Sequence, residues 1–336
     1  MDRYADALER EMAAWAQRID RHAHSLFLGG GTPTLLGEQR LGRILRSARD
    51  LFLTEDAEIT CEANPRSSMD SLLQTLAEAG VNRISFGLQS ANNDELLLLG
   101  RRHTAEQARR AVEAARRAGI ENLSLDLMLC LPGQTMDKVA RSIDFCLSLD
   151  VPHVSAYILK VEPGTPFARQ GIEARMPDEE LQRDLYLEAC RRLEEAGLAQ
   201  YEISNFARPG YACRHNLTYW DDREYLGLGA GAHSFLNGKR FYYPCDAAGF
   251  CAGMQPVDDG AGGDFAEYAM LRLRLREGLT ERGVKARFGH PIPGSVREKA
   301  GPLVRAGLVE ATAEGVRLTR EGFLVSNAVL GCLLID

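Results

Sequence analysis

The sequence predicts an α/β fold whose strands are mainly parallel. Through the first two-thirds of the chain, apolar stripes at helical spacing alternate with short apolar runs of the kind that form strands. Helix–strand units of about 25 to 40 residues indicate crossover connections, which join parallel strands. Several predicted helices also end in Ala-Gly just before a strand, and glycine is a common residue after a helix C-terminus.

Six helix–strand units follow one another along the chain. The first three pair "RYADALEREMAAW" with "SLFL", "LGRILRSARDL" with "AEITCEANP", and "SLLQTLAEAG" with "RISFGLQS". The last three pair "AEQARRAVEAARRAG" with "NLSLDLMLCLPG", "VARSIDFCLSL" with "HVSAYILKVEPG", and "ELQRDLYLEACRRLEEAG" with "YEIS". Because a helix precedes each strand, all six strands are predicted to run in the same direction.

Polar residues and glycines follow successive predicted strands, which favours a barrel or partial barrel over a doubly wound sheet. Glycines follow Leu28, Glu62 follows "EITC", and Gln89 follows "ISFGL". In a β/α barrel the carboxyl ends of the strands form the ligand-binding edge. The chain opens on a helix, whereas a repeating β/α fold normally opens on a strand. We therefore expect one more strand before Met1.

The chain is predicted to divide into three segments. Residues 1–205 form the partial β/α barrel, residues 206–260 form an irregular connecting segment, and residues 261–336 form a small C-terminal domain. In the last segment, helices precede the hairpin-like stretch "GLVEATAEGVRLTREGF", an order that resembles a winged helix. Because this hairpin carries acidic as well as basic residues, we expect a structural or lid role rather than DNA binding.

Composition argues against several classes of function. The 336-residue chain carries a net charge of −7, whereas nucleic-acid-binding domains usually present a basic face. It contains no apolar run of about 18 residues, and its charged N-terminus does not resemble a signal peptide. Its eight cysteines form no CxxC pair. We therefore expect reduced thiols and a cytoplasmic location.

Seven residues near the predicted strand ends form a candidate ligand site. They are Gly30, Gly31, Thr32, Glu62, Gln89, Arg101 and Asp126. Asp126 alternates with Ser124 and Met128, so its carboxylate is expected on the face that lines the barrel, where it requires a ligand or Arg101 as a partner. Exposed backbone, one cation, two carboxylates and an amide suit a compact zwitterion bearing hydroxyls, such as an amino acid joined to a nucleoside.

Structural alternatives stay open at this candidate ligand site. The glycines of "GGGTPT" also fit a tight barrel turn or a phosphate cradle. Glu62 and Asp126 also fit a structural ion pair with Arg101 or Arg83. Gln89 alone also fits a satisfied polar residue near the barrel mouth.

Six motifs in a fixed order point to a family. They are "GGGTPT", "CEANP", "SFGLQS", "LGRRHT", "LDLMLCLPGQT" and "EPGTPF". In this order they resemble the radical S-adenosylmethionine (SAM) proteins of the oxygen-independent coproporphyrinogen III oxidase-like family. "HNLTYW" and "GLGAGAHS" further resemble the heme chaperones of the HemW type, and the resemblance covers nearly the whole chain. It implies a partial (β/α)6 TIM barrel of the radical SAM type, without its first strand here, and a HemN-type C-terminal domain.

The resemblance implies that the candidate ligand site binds SAM through all seven of its residues. Gly30, Gly31 and Thr32 would contact SAM through backbone and hydroxyl groups. Family members also hold a [4Fe-4S] cluster with a CxxxCxxC motif after the first strand, and this sequence contains no such motif. We expect that strand and motif to belong to a segment before Met1, because an internal methionine was taken as the start or because the gene has lost its 5′ end.

The resemblance also implies a heme-binding segment. Its HNxxYW motif consists of His215, Asn216, Tyr219 and Trp220. Heme requires an axial nitrogen or sulfur ligand and flat apolar walls, and the stretch "CRHNLTYW" offers both, with Cys213 or His215 as the iron ligand. A purely structural role for the motif stays open. His233 and His103 are weaker candidates.

Three functions compete on these grounds. The first is a heme chaperone that binds heme and delivers it to respiratory-chain heme proteins, with a SAM pocket but no cluster ligands in this chain. The alternative is a radical SAM oxidoreductase that decarboxylates coproporphyrinogen III, inactive as written because nothing in the chain supplies the electron. The third is a degraded paralogue with residual SAM or heme affinity. We favour the first, without nucleic acid or an integral membrane segment as partner, and leave a homodimer open.

Overall fold

A computed structural model describes residues 1–65 and 69–335 of the chain. The described chain divides into two compact units. The first unit consists of Met1–Gln200 and Ser204–Ala212, and the second consists of Tyr201–Ile203 and the chain from Cys213 onward. Most of the segment predicted to be irregular, 206–260, therefore belongs to the second unit.

The first unit alternates helices and strands along most of its length. Its described strands are β1 (Ala23–Leu28), β2 (Leu53–Ala63), β3 (Arg83–Gln89), β4 (Asn122–Leu129), β5 (His153–Ile158), β6 (Ala199–Gln200) and β7 (Asn205–Ala207). Its described helices are α1 (Asp2–Ala16), α2 (Glu38–Phe52), α3 (Asp70–Glu78), α4 (Asn93–Leu98), α5 (Ala105–Arg117), α6 (Met136–Ser148), α7 (Pro166–Arg169) and α8 (Glu179–Glu195). Short 3-10 turns occupy Pro33–Leu36 and Ile172–Arg175.

The strands form one mainly parallel sheet, as the sequence predicts. Their order is β1-β2-β3-β4-β5-β7-β6, and each neighbouring pair from β1 to β5 is parallel. Consecutive strands are therefore adjacent in space, which places the carboxyl ends of β1 to β5 along one edge of the sheet. The predicted α/β class is confirmed.

The sixth strand of the prediction differs from the structure. The stretch "YEIS" is not itself a strand, because the two-residue β6 precedes it and β7 follows it. Strand β7 pairs antiparallel with both β5 and β6 and lies between them. Only residues 201–204 connect β6 to β7. So short a connection allows an antiparallel return but not the crossover that a parallel pair requires.

The sheet has one apolar face and one polar face. On β3, Ile84, Phe86 and Leu88 are fully buried and alternate with Arg83 and Ser85. The same alternation continues on β4, and helices α2, α5 and α6 contact β2, β3 and β4 respectively. The polar face is the one that carries the predicted ligand residues of the strands.

Side-chain caps set the starts of helices α5, α6 and α8. The Oγ1 atom of Thr104 accepts a hydrogen bond from the Gln107 backbone, and the Gln107 side chain accepts one from the Thr104 backbone, which forms a capping box before α5. Thr135 and Asp178 cap α6 and α8 in the same position. These caps begin the helices that connect the strands carrying the site.

The second unit contains short helices and two small antiparallel sheets. Its described helices are α9 (Arg214–Trp220), α10 (Ala247–Cys251), α11 (Phe265–Arg272), α12 (Glu281–Phe288), α13 (Gly294–Arg305), α14 (Arg320–Leu324) and α15 (Ser326–Leu334). Its described strands are β8 (His233–Leu236), β9 (Lys239–Tyr242), β10 (Val257–Ala261), β11 (Leu279–Thr280), β12 (Val309–Thr312) and β13 (Gly315–Leu318). The sheet orders are β10-β9-β8 and β11-β13-β12.

The end of the second unit follows the predicted winged-helix-like order. Helix α11 and strand β11 precede α12 and α13, and the β12–β13 hairpin comes after them. Leu273, Leu279, Val284 and Leu318 belong to the single buried cluster on which these elements pack. In the described part of the chain, no helix has the length and apolar character needed to cross a membrane.

Candidate functional site

The seven residues of the candidate ligand site lie at or near the carboxyl ends of neighbouring parallel strands. Gly30, Gly31 and Thr32 follow β1, Glu62 lies near the end of β2, Gln89 ends β3, Arg101 lies between α4 and α5, and Asp126 lies in β4. Because β1 to β4 are adjacent and parallel, these strand ends share one edge of the sheet. The structure therefore brings the predicted residues to the same edge.

Hydrogen bonds connect the segments that follow β1 and β2 with the loop between α4 and α5. The Nδ2 group of Asn64 donates to Oγ1 of Thr32 at 3.0 Å, and Nη1 of Arg101 donates to Oδ1 of Asn64 at 3.4 Å. Gln89 adopts a positive φ of 69° at the end of β3. A Cβ at Gly87 would lie 2.9 Å from Nε2 of Gln89 and 3.2 Å from Oδ1 of Asn64, so both amides lie against bare backbone. These side chains form one continuous polar surface.

Asp126 presents a carboxylate on the polar face of the sheet. It is partly exposed, and the hydroxyls of Ser85, at 3.0 Å, and of Ser155 donate hydrogen bonds to it. Burial raises the pKa of Asp126, and these hydrogen bonds together with the charges of Arg83 and Arg101 offset only part of that rise. Among the described residues, no guanidinium forms an ion pair with Asp126. The predicted structural ion pair is therefore not formed at Asp126.

Glu62 is the second carboxyl group of the site. Burial raises the pKa of Glu62 to about 7, and the negative charge of Asp126 adds to the rise, while a hydrogen bond from the Gly30 backbone opposes it. Two carboxyl groups without a cation in contact resist ionising together. A positively charged ligand at this edge would favour the doubly ionised pair.

A side chain is disfavoured at the three glycine positions after β1 for two different reasons. Gly30 and Gly31 have φ values of +79° and +145°, which side chains rarely adopt, and a Cβ on either would meet no atom within 4 Å. A Cβ at Gly29 would instead lie 2.5 Å from Cε1 of Phe27 and 3.0 Å from Cδ of Glu62. The loop therefore exposes its backbone to open space directly beside Glu62.

The described cysteines do not converge. Those that are buried are Cys61, Cys130, Cys146, Cys190 and Cys213; Cys245 and Cys332 are exposed, and Cys251 is intermediate. Within residues 1–65 and 69–335, no group of three His, Cys, Asp or Glu side chains could hold a metal ion. A [4Fe-4S] cluster requires converging thiolates. The cysteines in the part of the chain that the structure describes do not fit such a cluster.

The HNxxYW residues lie on helix α9. His215 is half-buried, and its Nε2 atom is 2.9 Å from the hydroxyl of Tyr219. The ring of Tyr219 meets those of His215 and Tyr225 edge to face, with centroids 5.0 and 4.6 Å apart. Asn216 and Trp220 are partly exposed. The motif thus presents an imidazole beside two tyrosine rings.

The other predicted iron ligands differ in accessibility. Cys213, directly before α9, is 0% exposed, so its sulfur is not presented to a ligand. His103 is buried with Nε2 3.1 Å from the backbone oxygen of Leu88. His233 is exposed and stacks on Tyr242 with ring centroids 5.1 Å apart. Of the residues in the "CRHNLTYW" stretch, His215 is therefore the accessible candidate ligand.

Two family models match this chain and agree with its two-part organisation. The Radical SAM superfamily matches residues 2–146, and the HemN C-terminal domain matches residues 265–325. Heme chaperone HemW of Bacillus subtilis (strain 168) is 36% identical over 99% of this chain and 92% of its own length. Heme chaperone HemW of Escherichia coli (strain K12) is 34% identical over 96% of this chain and 86% of its own length. The chain belongs to the HemW family.

A solved structure shares the fold of this HemW-family chain. Coproporphyrinogen III oxidase (HemN) from Escherichia coli, described as a radical SAM enzyme, matches with a TM-score of 0.84 over 99% of this chain and 83% of its own. Its sequence is 24% identical, so the likeness shows the fold alone. Together with the family matches, it confirms the predicted radical SAM fold with a HemN-type C-terminal domain.

Sequence reasoning missed three residues of the candidate ligand site in this HemW-family chain. Asn64 bridges Thr32 and Arg101, and Ser85 and Ser155 hold the carboxylate of Asp126. A signal for Ser85 was present, because it alternates with buried apolar residues on β3. Asn64 carried a signal too, because it lies in "CEANP" directly after β2, but its bridge joins two segments that are distant in sequence.

Proposed function

We propose that this chain is a heme chaperone that binds heme and passes it to heme-dependent respiratory proteins. The observation that carries the proposal is its similarity, over nearly its whole length, to proteins named heme chaperone HemW. The position of His215, partly exposed beside the rings of Tyr219 and Tyr225, supports the proposal that the heme binds there. An imidazole next to aromatic walls is what heme binding requires.

In this proposal His215 holds the heme iron through a ring nitrogen. Its Nε2 atom contacts the Tyr219 hydroxyl in the heme-free protein, so ligation through that nitrogen replaces a hydrogen bond. The tyrosine hydroxyl can re-form this bond when heme leaves. Such an exchange suits a carrier that must release its cargo. Asn216 and Trp220 complete the segment around the porphyrin.

We also propose that the edge of the parallel sheet binds SAM. The exposed backbone of Gly30 and Gly31 would accommodate the methionine end, and Thr32 would contribute its hydroxyl. The carboxylates of Glu62 and Asp126 would neutralise the positive charges of SAM, and the Gln89 amide would complete the contacts.

Arg101 would face the SAM carboxylate in this proposal, because its guanidinium lies on the same polar surface.

We also propose that the protein works in the cytoplasm. This location is supported by the eight cysteines, which are all free thiols. Respiratory heme proteins are the expected recipients.

Titration with hemin, followed by its visible absorption, tests the heme site. His215→Ala is expected to weaken binding by about tenfold or more, because an axial ligand is lost. His290→Ala is the matched control, since His290 is an exposed histidine outside the HNxxYW motif. Equal affinities for His215→Ala and the unmodified chain would contradict ligation by His215.

A further inference from the structure

A row of three polar side chains crosses strands β2, β3 and β4 next to the candidate ligand site. Thr60 of β2 pairs in register with Arg83 of β3, and Arg83 pairs with Asn122 of β4. Residues paired across parallel strands share a face. The row therefore lies on the polar face at the first residues of β3 and β4, and Thr60 and Asn122 precede Glu62 and Asp126 on their strands.

Each member of this row has a buried polar atom without a hydrogen-bond partner among the described residues. These atoms are Oγ1 of Thr60, Nε of Arg83 and Oδ1 of Asn122. Arg83 is 2% exposed and Thr60 is 0% exposed. The guanidinium of Arg83 also forms no ion pair within the described part of the chain. A cation buried without hydrogen bonds or a counterion is costly.

The nearest ionisable groups do not satisfy Arg83 by contact. Asp126 is held by the hydroxyl of Ser85 at 3.0 Å, and Nδ1 of His153 is 2.8 Å from the hydroxyl of Ser124. Burial lowers the pKa of His153 well below its usual value, and the charge of Arg83 lowers it further. His153 is therefore neutral at pH 7 and adds no competing positive charge.

We propose that Thr60, Arg83 and Asn122 form a carboxylate-binding subsite on the polar face of the sheet. The guanidinium can donate two parallel hydrogen bonds to the two oxygens of a carboxylate. The Thr60 hydroxyl can donate a third, and the Asn122 amide can turn to present its nitrogen. With the Asn122 amide turned so that its nitrogen faces the ligand, the three side chains offer the hydrogen-bond donors that a planar carboxylate accepts.

A single negative charge suits this position better than a double one. Arg83 supplies one positive charge, and the nearby Glu62 and Asp126 already resist ionising together. A dianion such as hydrogen phosphate would add repulsion that one guanidinium cannot offset. The ligand class is therefore a carboxylate, whether it belongs to SAM, to a heme propionate or to a free monocarboxylate.

Thermal unfolding of the full chain with SAM, hemin or acetate separates these sources, with chloride and phosphate at equal ionic strength as controls. At least one carboxylate probe is expected to stabilise the unmodified chain. Arg83→Met is expected to weaken the binding of that ligand by about tenfold or more, because a charge-assisted hydrogen-bond pair is lost. The carboxylate probe that no longer raises the unfolding temperature in Arg83→Met identifies the source of the carboxylate.

The ligand-free variants provide a second readout. Arg83→Met removes a buried cation without a partner, so the ligand-free protein is expected to keep or gain stability. Thr60→Val removes an unpaired hydroxyl at nearly constant volume and is expected to weaken the same ligand while folding normally. If Arg83→Met does not fold, Thr60→Val decides the question. The proposal would be overturned if each carboxylate stabilised these variants as much as it stabilises the unmodified chain. It would also be overturned if phosphate stabilised the unmodified chain as much as the carboxylates do.

Discussion

Glu62 and Asp126 show how the site acts at the scale of single residues. Each carboxyl group is partly removed from water, and neither has a guanidinium in contact among the described residues. Burial raises the pKa of both carboxyl groups, and the negative charge of Asp126 raises the pKa of Glu62 further. A cation bound at this edge of the sheet would favour the ionised form of Glu62.

Glu62 should make the protein less stable as the pH rises. Its pKa is about 7 in the folded protein and 4.5 ordinarily, so the folded state binds the proton more tightly. The unfolding free energy contributed by Glu62 is therefore fully present below about pH 4.5 and is lost as the pH rises to about 7. Glu62→Gln is expected to flatten this part of the stability–pH profile, measured by urea unfolding.

The matched comparison for Glu62 is Glu310→Gln, an exposed carboxylate paired with Arg317. That variant is expected to leave the decline between pH 4.5 and 7 in place. An unchanged profile in Glu62→Gln would show that Glu62 titrates normally in the folded protein.

Asp222 is a residue whose role is structural. Its side chain is 0% exposed, its Oδ2 atom lies 2.6 Å from Nη2 of Arg287, and its Oδ1 atom lies 3.3 Å from Nη2 of Arg240. Asp222→Ala is expected to lower the unfolding free energy by about 3 kcal/mol, because it leaves two arginines without their shared partner. Chemical denaturation measures this change.

An exposed ion pair in the same unit provides the control for Asp222. Glu310 and Arg317 are each about half exposed. Glu310→Ala is expected to change the unfolding free energy by under about 1 kcal/mol. Similar losses for the two variants would contradict a central role for Asp222.

At the scale of elements, the glycines of the loop after β1 adopt positive φ values and leave the backbone of the loop exposed. Gly30→Ala is expected to cost about 1 kcal/mol of stability because of the positive φ. Gly119→Ala carries the same strain, since Gly119 has a φ of +86° and open space around it. Only Gly30→Ala is expected to weaken SAM binding, measured by calorimetry. Equal SAM affinities in the two variants would argue against SAM contact at this loop.

Local patterns predicted the parallel part of the sheet well. The alternation of helical stripes with runs such as "RISFGLQS" reflects burial of one face, which the sequence encodes directly. The stretch "YEIS" has strand-like composition, but the pairing of β6 and β7 depends on a short connection and on the edge of the sheet that is available. Composition does not encode such choices.

The candidate ligand site was predicted in part for the same reason. Residues at strand ends, such as Glu62 and Gln89, can be recognised because parallel strands end at one edge. Asn64 was missed because its bridge from Thr32 to Arg101 exists only in the folded chain. Arg83 was weighed only as an ion-pair partner, and its lack of partners among the described residues is a property of the folded structure.

At the scale of the whole molecule, the proposed functions belong to different units. The candidate ligand site lies in the first unit, which carries the parallel sheet. The HNxxYW helix lies in the second unit, together with the winged-helix-like end. The SAM proposal and the heme proposal rest on residues of different units, so each can be tested with its own variants.

Transfer of heme is the measurement that tests the central proposal most directly. The full chain, loaded with hemin, is mixed with the heme-free form of a respiratory cytochrome, and the visible spectrum of the cytochrome is followed over time. We expect heme to reach the cytochrome faster than it does from hemin-loaded albumin. Heme that stays on the chain, or that arrives no faster than from albumin, would contradict a chaperone function.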